Sequence, residues 1–288
     1  MKIGFIGLGN MGEGMSSNIL AKHDDTLYVF DLCKEKVELM EKKGAVGCED
    51  AAGVAQNTDI IITMLPRSEH VAAIYDEILP IIGKGKICVD MSTIDPKVSM
   101  EIAVKVKEKG AKFADCPVLK SKMMAIDGKL GIYAGCDEET FKILKPILFY
   151  MGENVMRIGE NGAGITMKIC QNALTHEIQY AVNETLTLAN ICGIETEKFV
   201  KAISIGGAQN YYLESKAHAL IKNDFTCQFP VIYAEKDLSI CKRLSESHNF
   251  SMPGIDVALK ALNKTIEMGY GMEDNCACIM AVREGFIL

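Results

Sequence analysis

The chain has 288 residues, 49% of them hydrophobic and 24% charged, a globular composition without low-complexity tracts and long enough for two domains. A formal net charge of -7 with no basic run argues against a nucleic-acid partner. The most apolar runs, such as 59–65, are far shorter than the ~20 residues of a membrane span, so no membrane segment is expected.

Residues 2–6 read as a short apolar strand, and the glycines within it, with no cleavage pattern after it, speak against a signal peptide. Gly7-Leu8-Gly9-Asn10-Met11-Gly12 follows, then a helical pattern through Met15, Ile19 and Leu20. The order is strand, glycine turn, helix. In such a turn the first glycine permits the tight bend, the second lets the backbone approach a pyrophosphate, and the third allows close helix packing. Free N–H groups opening the helix attract the anion, so Gly7, Gly9, Asn10, Met11 and Gly12 are candidate cofactor contacts. A second strand, 26–30, ends in Asp31 about 20 residues downstream, where a carboxylate can accept hydrogen bonds from an adenosine ribose, cap the next helix, or do both.

Strand and helix patterns then alternate, with helix 33–43, strand 59–64, helix 69–79, strand 86–91 and helix 96–109. This alternation predicts a parallel, doubly wound sheet. Ligands of such sheets lie beyond the carboxyl ends of the strands, which selects Leu65-Pro66 and Ser92-Thr93 as cofactor-facing loops, with ordinary turn chemistry as the alternative. Strand 112–114 leads into Asp115-Cys116-Pro117-Val118-Leu119-Lys120-Ser121, a second strand-end loop, and further strands are predicted at 130–134 and 154–158. From 162 onward the pattern is almost wholly helical, beginning with a long helix to about 192. The expected organisation is an α/β domain over 1–161 and an all-α domain over 162–288.

The long helix opens with Gly162-Ala163-Gly164-Ile165-Thr166-Met167-Lys168-Ile169-Cys170-Gln171-Asn172. Lys168 and Asn172 stand four apart, so an ammonium and an amide share one face and can address one small target. Farther on, Glu235-Lys236-Asp237-Leu238 sits in an amphipathic segment, where a Lys-Asp pair is ordinarily solvated surface. In an acidic protein, lysines lining a pocket point to a small anionic substrate. Eleven cysteines, an odd number with no C-x-x-C pair, read as reduced thiols of a cytoplasmic protein. Cys276 and Cys278 lack clustered histidines, so no metal site is expected.

Four blocks in order, GFIGLGNMGEGMSSNIL at 4–20, DCPV at 115–118, GAGITMKICQN at 162–172 and AEKDL at 234–238, resemble the β-hydroxyacid dehydrogenase family. Its members include 3-hydroxyisobutyrate dehydrogenases and tartronate semialdehyde reductases. The resemblance covers nearly the whole chain and implies an N-terminal Rossmann domain, a C-terminal helical domain, a long helix joining them, NAD(H) as cofactor, and a homodimer or homotetramer. It implies that Lys168 is the catalytic lysine, that Asn172 helps to hold substrate beside it, and that Lys236 is the basic residue closing on the site. Gly7, Gly9, Gly12, Asp31, Leu65, Pro66 and Thr93 match cofactor-contact positions.

One block departs from the family. Where most relatives read D-A-P-V-S-G-G, this chain has Leu119, Lys120 and Ser121 in the last three places. The change looks like the sulfolactaldehyde reductase branch, whose loop likewise carries a basic residue followed by a hydroxyl residue. A tetrahedral sulfonate can take an ammonium, a hydroxyl and a backbone N–H from different directions. The expected substrate-binding residues are therefore Val118, Leu119, Lys120, Ser121 and Asn172, with a sulfonate favoured and a carboxylate substrate as the alternative. A Lys120 that points to solvent, or a dinucleotide-binding protein without turnover, are the competing readings.

Overall fold

A computed structural model describes residues 1–285 and divides the chain into two compact units, Met1–Lys168 and the part from Ile169 onward. The first unit runs β1 (Ile3–Ile6), α1 (Gly12–Lys22), β2 (Leu27–Phe30), α2 (Lys34–Lys42), β3 (Val46–Gly47), α3 (Ala51–Asn57), β4 (Ile60–Thr63) and α4 (Ser68–Ile78). It continues with β5 (Ile87–Asp90), α5 (Pro96–Glu108), β6 (Lys112–Asp115), β7 (Val118–Leu119), α6 (Lys122–Ile126), β8 (Leu130–Gly135), α7 (Glu138–Met151), β9 (Gly152–Gly159) and the opening of α8 (Ala163–Ile191).

The strands form one sheet in the order β3-β2-β1-β4-β5-β6-β8-β7, with β9 on β8. Pairing is parallel from β3 through β6, as the alternation of strands and helices predicts. β8 then runs antiparallel to both β6 and β7, and β9 lies parallel to β8.

The strands read as continuous apolar runs because both faces are covered. Alternate side chains go to opposite sides. Ile3, Phe5, Ile60, Ile62, Ile87 and Val89 pack with Met15 and Ile19 of α1 and Leu144 and Leu148 of α7. Ile6, Ile61 and Cys88 join Val54, Val71, Ile78 and Ile102 from α3, α4 and α5 in the other core.

The second unit holds the rest of α8, then α9 (Thr196–Ile203), α10 (Tyr211–Lys222), α11 (Val231–Ser247), α12 (Pro253–Thr265), a π turn at Ile266–Tyr270, a 3-10 turn at Asn275–Ala277 and α13 (Cys278–Glu284). Val182 and Leu186 of α8 pack with Tyr212, Leu213 and Leu220 of α10 and Ile279 of α13. Asp274, only 2% exposed, ties this unit together. It accepts the Gln228 and Phe229 amides at 3.1 Å each and pairs with Lys216 Nζ at 2.8 Å. Among the described residues no helix is long and apolar enough to cross a membrane.

Candidate active site

The glycine turn after β1 is built by the backbone. Gly7 has φ 98°, and a side chain there would run into the Met64 carbonyl. A Cβ on Gly12 would strike the Gly7 carbonyl, so α1 sits closer to the turn than any other residue permits. Gly9 is the opposite case, because a Cβ there would meet nothing within 4 Å. The turn therefore keeps an open, side-chain-free face at Gly9, the cradle a pyrophosphate requires, and the residues fit a dinucleotide. Asn10 is exposed and Met11 half-buried beside it.

Asp31 follows β2, with Oδ2 accepting the Leu8 amide at 2.6 Å and Oδ1 accepting the Cys33 amide at 2.8 Å. It thus braces both the glycine turn and the entry to α2. Each carboxylate oxygen keeps a second lone pair, so this bracing leaves capacity for a ribose hydroxyl. Leu32 next to it is 90% exposed.

The loops after β4 and β5 are fastened by a buried carboxylate. Asp90 Oδ1 accepts the hydroxyls of Thr63 and Ser92, each at 2.7 Å, and Ser92 Oγ in turn accepts the Leu65 amide at 2.9 Å. Burial pushes the Asp90 carboxyl above its usual range, against those hydrogen bonds. Leu65, Pro66 and Thr93 stand in these two loops at the carboxyl ends of neighbouring parallel strands.

The loop after β6 places Val118 in the buried core and Leu119 half-buried at the end of β7. Lys120 has φ 80°, a left-handed backbone that favours glycine, in the place where the family pattern has glycine. Its ammonium is engaged. Nζ lies 2.6 Å from Glu153 Oε1 and 2.9 Å from the Lys129 carbonyl, with the lysine side chain 35% exposed. The hydrogen bond from Lys120 holds the Glu153 carboxyl below its usual range. Ser121 precedes α6 and makes no side-chain cap to it.

Lys168 and Asn172 lie one turn apart on α8, both half-buried. Within the second unit, Asn172 Nδ2 donates to Asp237 Oδ2 at 2.6 Å. An ionised carboxylate only accepts, so the amide must turn its nitrogen to Asp237 and present its carbonyl oxygen elsewhere. Asp237 is 2% exposed, unlike the solvated surface that a Lys-Asp pair in an amphipathic helix suggests. Lys236 Nζ lies 3.3 Å from Asp237 Oδ1, near enough to pair charges, and 5.8 Å from the Tyr233 ring centroid.

Asp237 is one residue that sequence reasoning passes over as a partner for Asn172. His176, Gln179 and Asn183 are others. They continue the Asn172 face along α8 at helical spacing and are buried. His176 Nδ1 is 3.0 Å from Gln179 Oε1, and Gln179 Nε2 donates to the Asn275 carbonyl at 2.7 Å. Four polar residues at helical spacing along one face of the helix, Asn172, His176, Gln179 and Asn183, are the signal that would find them.

Residues 2–159 match the family described as the NAD binding domain of 6-phosphogluconate dehydrogenase, and residues 162–282 match the family described as NAD-binding of NADP-dependent 3-hydroxyisobutyrate dehydrogenase. The chain is 32% identical to 2-(hydroxymethyl)glutarate dehydrogenase of Eubacterium barkeri, over 97% of this chain and 94% of that protein. It is 31% identical to glyoxylate/succinic semialdehyde reductase 1 of Arabidopsis thaliana, over 98% and 99%. The solved structure of Mycobacterium tuberculosis 3-hydroxyisobutyrate dehydrogenase with L-serine superposes with a TM-score of 0.92 at 25% identity, over 98% of this chain and 99% of that one. Motif, fold and relatives agree from one end of the chain to the other, and the protein belongs to the 3-hydroxyisobutyrate dehydrogenase-like β-hydroxyacid dehydrogenases, NAD-dependent oxidoreductases with a Rossmann domain followed by a helical one.

Proposed function

We propose that the protein interconverts a short anionic aldehyde and its β-hydroxy acid, with Lys168 moving the proton. The observation that carries this reading is the Lys168–Asn172 pair on one face of α8, with the asparagine amide fixed by the buried Asp237. The nicotinamide, when bound, supplies the hydride chemistry. Gly7, Gly9, Asn10, Met11 and Gly12 hold the pyrophosphate, Asp31 the adenosine ribose, and Leu65, Pro66 and Thr93 line the nicotinamide side; the family resemblance of the AEKDL block assigns Lys236 to the cofactor as well. Lys168 donates a proton to the carbonyl oxygen during reduction and accepts the hydroxyl proton during oxidation. Asn172, with its nitrogen committed to Asp237, offers Oδ1 as an acceptor, which suits a substrate hydroxyl or the Lys168 ammonium.

A carboxylate is the anion best supported, because the relatives are named for carboxylate-bearing compounds such as 2-(hydroxymethyl)glutarate and succinic semialdehyde. A sulfonate is the second reading, and the Lys120–Ser121 replacement of the family's glycines favours it. Against it stands the engagement of Lys120 by Glu153, a carboxylate that a substrate sulfonate must displace. We also infer a homo-oligomer of this chain, supported by exposed apolar side chains of the second unit, Leu188, Ile191 and Ile205, on α8 and just after α9. Eleven unpaired thiols support a reducing, cytoplasmic setting.

One assay tests the substrate class. Turnover of NADH is measured with succinic semialdehyde, methylmalonic semialdehyde, tartronate semialdehyde and sulfolactaldehyde. The highest kcat/KM is expected on a carboxylate aldehyde; a sulfolactaldehyde value above all the others would transfer the assignment to the sulfonate, and no turnover on any would sink the enzymatic reading of this site.

A further inference from the structure

The start of α8 has a cap that its own sequence does not supply. The residue before the helix is Gly162, at φ 90°, with no side chain to accept the first helical amides. Asp115, at the end of β6 and 47 residues earlier, takes that place. Its Oδ1 accepts the Gly162 amide at 2.7 Å and its Oδ2 accepts the Ile165 amide at 2.8 Å. Asn161 adds a second fastening, donating Nδ2 to the carbonyls of Phe113 at 2.7 Å and Gly135 at 3.0 Å.

The carboxylate is 1% exposed and sits in a socket made by two glycines. A Cβ on Gly135 of β8 would come within 2.5 Å of both Asp115 oxygens, and one on Gly164 of α8 would come within 2.6 Å of the Asp115 carbonyl and 2.8 Å of the Gly135 amide. Sheet and helix therefore approach as closely as the backbone allows, with a carboxyl group between them. Helical side chains lean toward the N-terminus, so the space served by Lys168 lies over the turn around Gly164 and Ile165. That is the turn Asp115 holds.

We propose that Asp115 is a positioning residue for Lys168: by capping α8 from β6 it sets the height and direction of the helical turn from which the lysine reaches the substrate. The inference rests on the proton-transfer reading of Lys168 given above. In this role Asp115 acts through the helix backbone, by its bonds to the Gly162 and Ile165 amides, rather than by contact with substrate or cofactor.

A double-mutant cycle separates this role from general stabilisation. Asp115→Asn keeps the shape but has one acceptor where two amides need one each. It should lower kcat at least tenfold, with the KM for the aldehyde changed less than threefold and the NADH dissociation constant, followed by nicotinamide fluorescence, within twofold. In a Lys168→Ala background, already slowed by roughly two to four powers of ten, the same change should cost less than twofold more. Gly164→Ala keeps the carboxylate but crowds its socket, and should reproduce the pattern. Multiplying losses in the double mutant, or wild-type kcat in either folded variant, overturns the Asp115 inference. Near-wild-type turnover in Lys168→Ala alone instead overturns the proton-transfer reading, so the two failures are distinguishable.

Discussion

The glycine turn after β1 and the loop after β6 both need a left-handed backbone, and they meet the need differently. Gly7 reaches φ 98° in the first, whereas Lys120 reaches φ 80° in the second. At Gly7 any side chain collides with the Met64 carbonyl, so the residue type is dictated by the chain itself. At Lys120 the backbone demand is the same, yet the side chain extends to Glu153 and the Lys129 carbonyl and is tolerated. Left-handed backbone costs an ordinary residue about 1–2 kcal/mol. On the assignment proposed above, the cofactor end of the site is thus set by steric exclusion, while the substrate end is set by side chains and can be re-specified.

Four measurements probe this contrast. The largest effect is expected at Asp31, whose charge would oppose a 2′-phosphate: like-charge juxtaposition costs up to several kcal/mol, so kcat/KM with NADH should exceed that with NADPH by roughly 100-fold. Equal efficiency with the two cofactors would reduce Asp31 to its bracing of Leu8 and Cys33.

Gly9→Ala comes next. A Cβ there touches nothing, so the melting temperature should hold or rise slightly, as Gly to Ala changes do at compatible sites. NADH affinity should nevertheless fall about tenfold, ~1.4 kcal/mol, because the methyl group occupies the pyrophosphate face. Unchanged affinity would show that the dinucleotide does not lie over Gly9.

Asp115 supplies a pH test of smaller size. Burial pushes its carboxyl up to about 7, opposed by the Gly162 and Ile165 amides, from a reference of 3.8. A raised folded-state pKa means that the folded state holds its proton more tightly, so the contribution is complete below about pH 4 and is lost as pH rises through 7. Asp90, also raised, acts in the same direction. Melting curves from pH 4 to 8 should therefore fall less steeply for Asp115→Asn than for the parent, and parallel curves would refute the shift.

The smallest change is Lys120→Gly. Relief of the left-handed backbone, of order 1 kcal/mol, competes with loss of an exposed ion pair that contributes little. A melting temperature raised by a few degrees is expected, and a lowered one would show that the Glu153 contact outweighs the backbone term.

Features encoded by adjacent residues were legible in the sequence. The strand, the three glycines and Asp31 lie within a span whose spacing follows from the geometry of one βαβ unit. Lys168 and Asn172 are legible because a helix fixes what four residues means. By contrast α7, interrupted by Pro146, shows no uninterrupted helical pattern, although Asp137 caps it through the Thr140 amide at 2.8 Å. The contacts that orient the site are hidden for another reason. Asp115 with Gly162, Asn172 with Asp237 and Lys120 with Glu153 join residues 47, 65 and 33 positions apart, and no local pattern announces such a pair.

The unbroken course of α8 from Ala163 to Ile191 also bears on how this gene can tolerate insertions. One codon added between positions 168 and 172 would rotate everything beyond it by roughly 100° and advance it by about 1.5 Å. Asn172 would leave the face of Lys168, and Asp237, His176 and Gln179 would turn with it. The exposed turns between strands and helices can absorb an extra codon by bulging outward. Along α8 the phase of the helix is itself a constraint, and a codon added between those two positions is expected to abolish the face that Lys168 and Asn172 share.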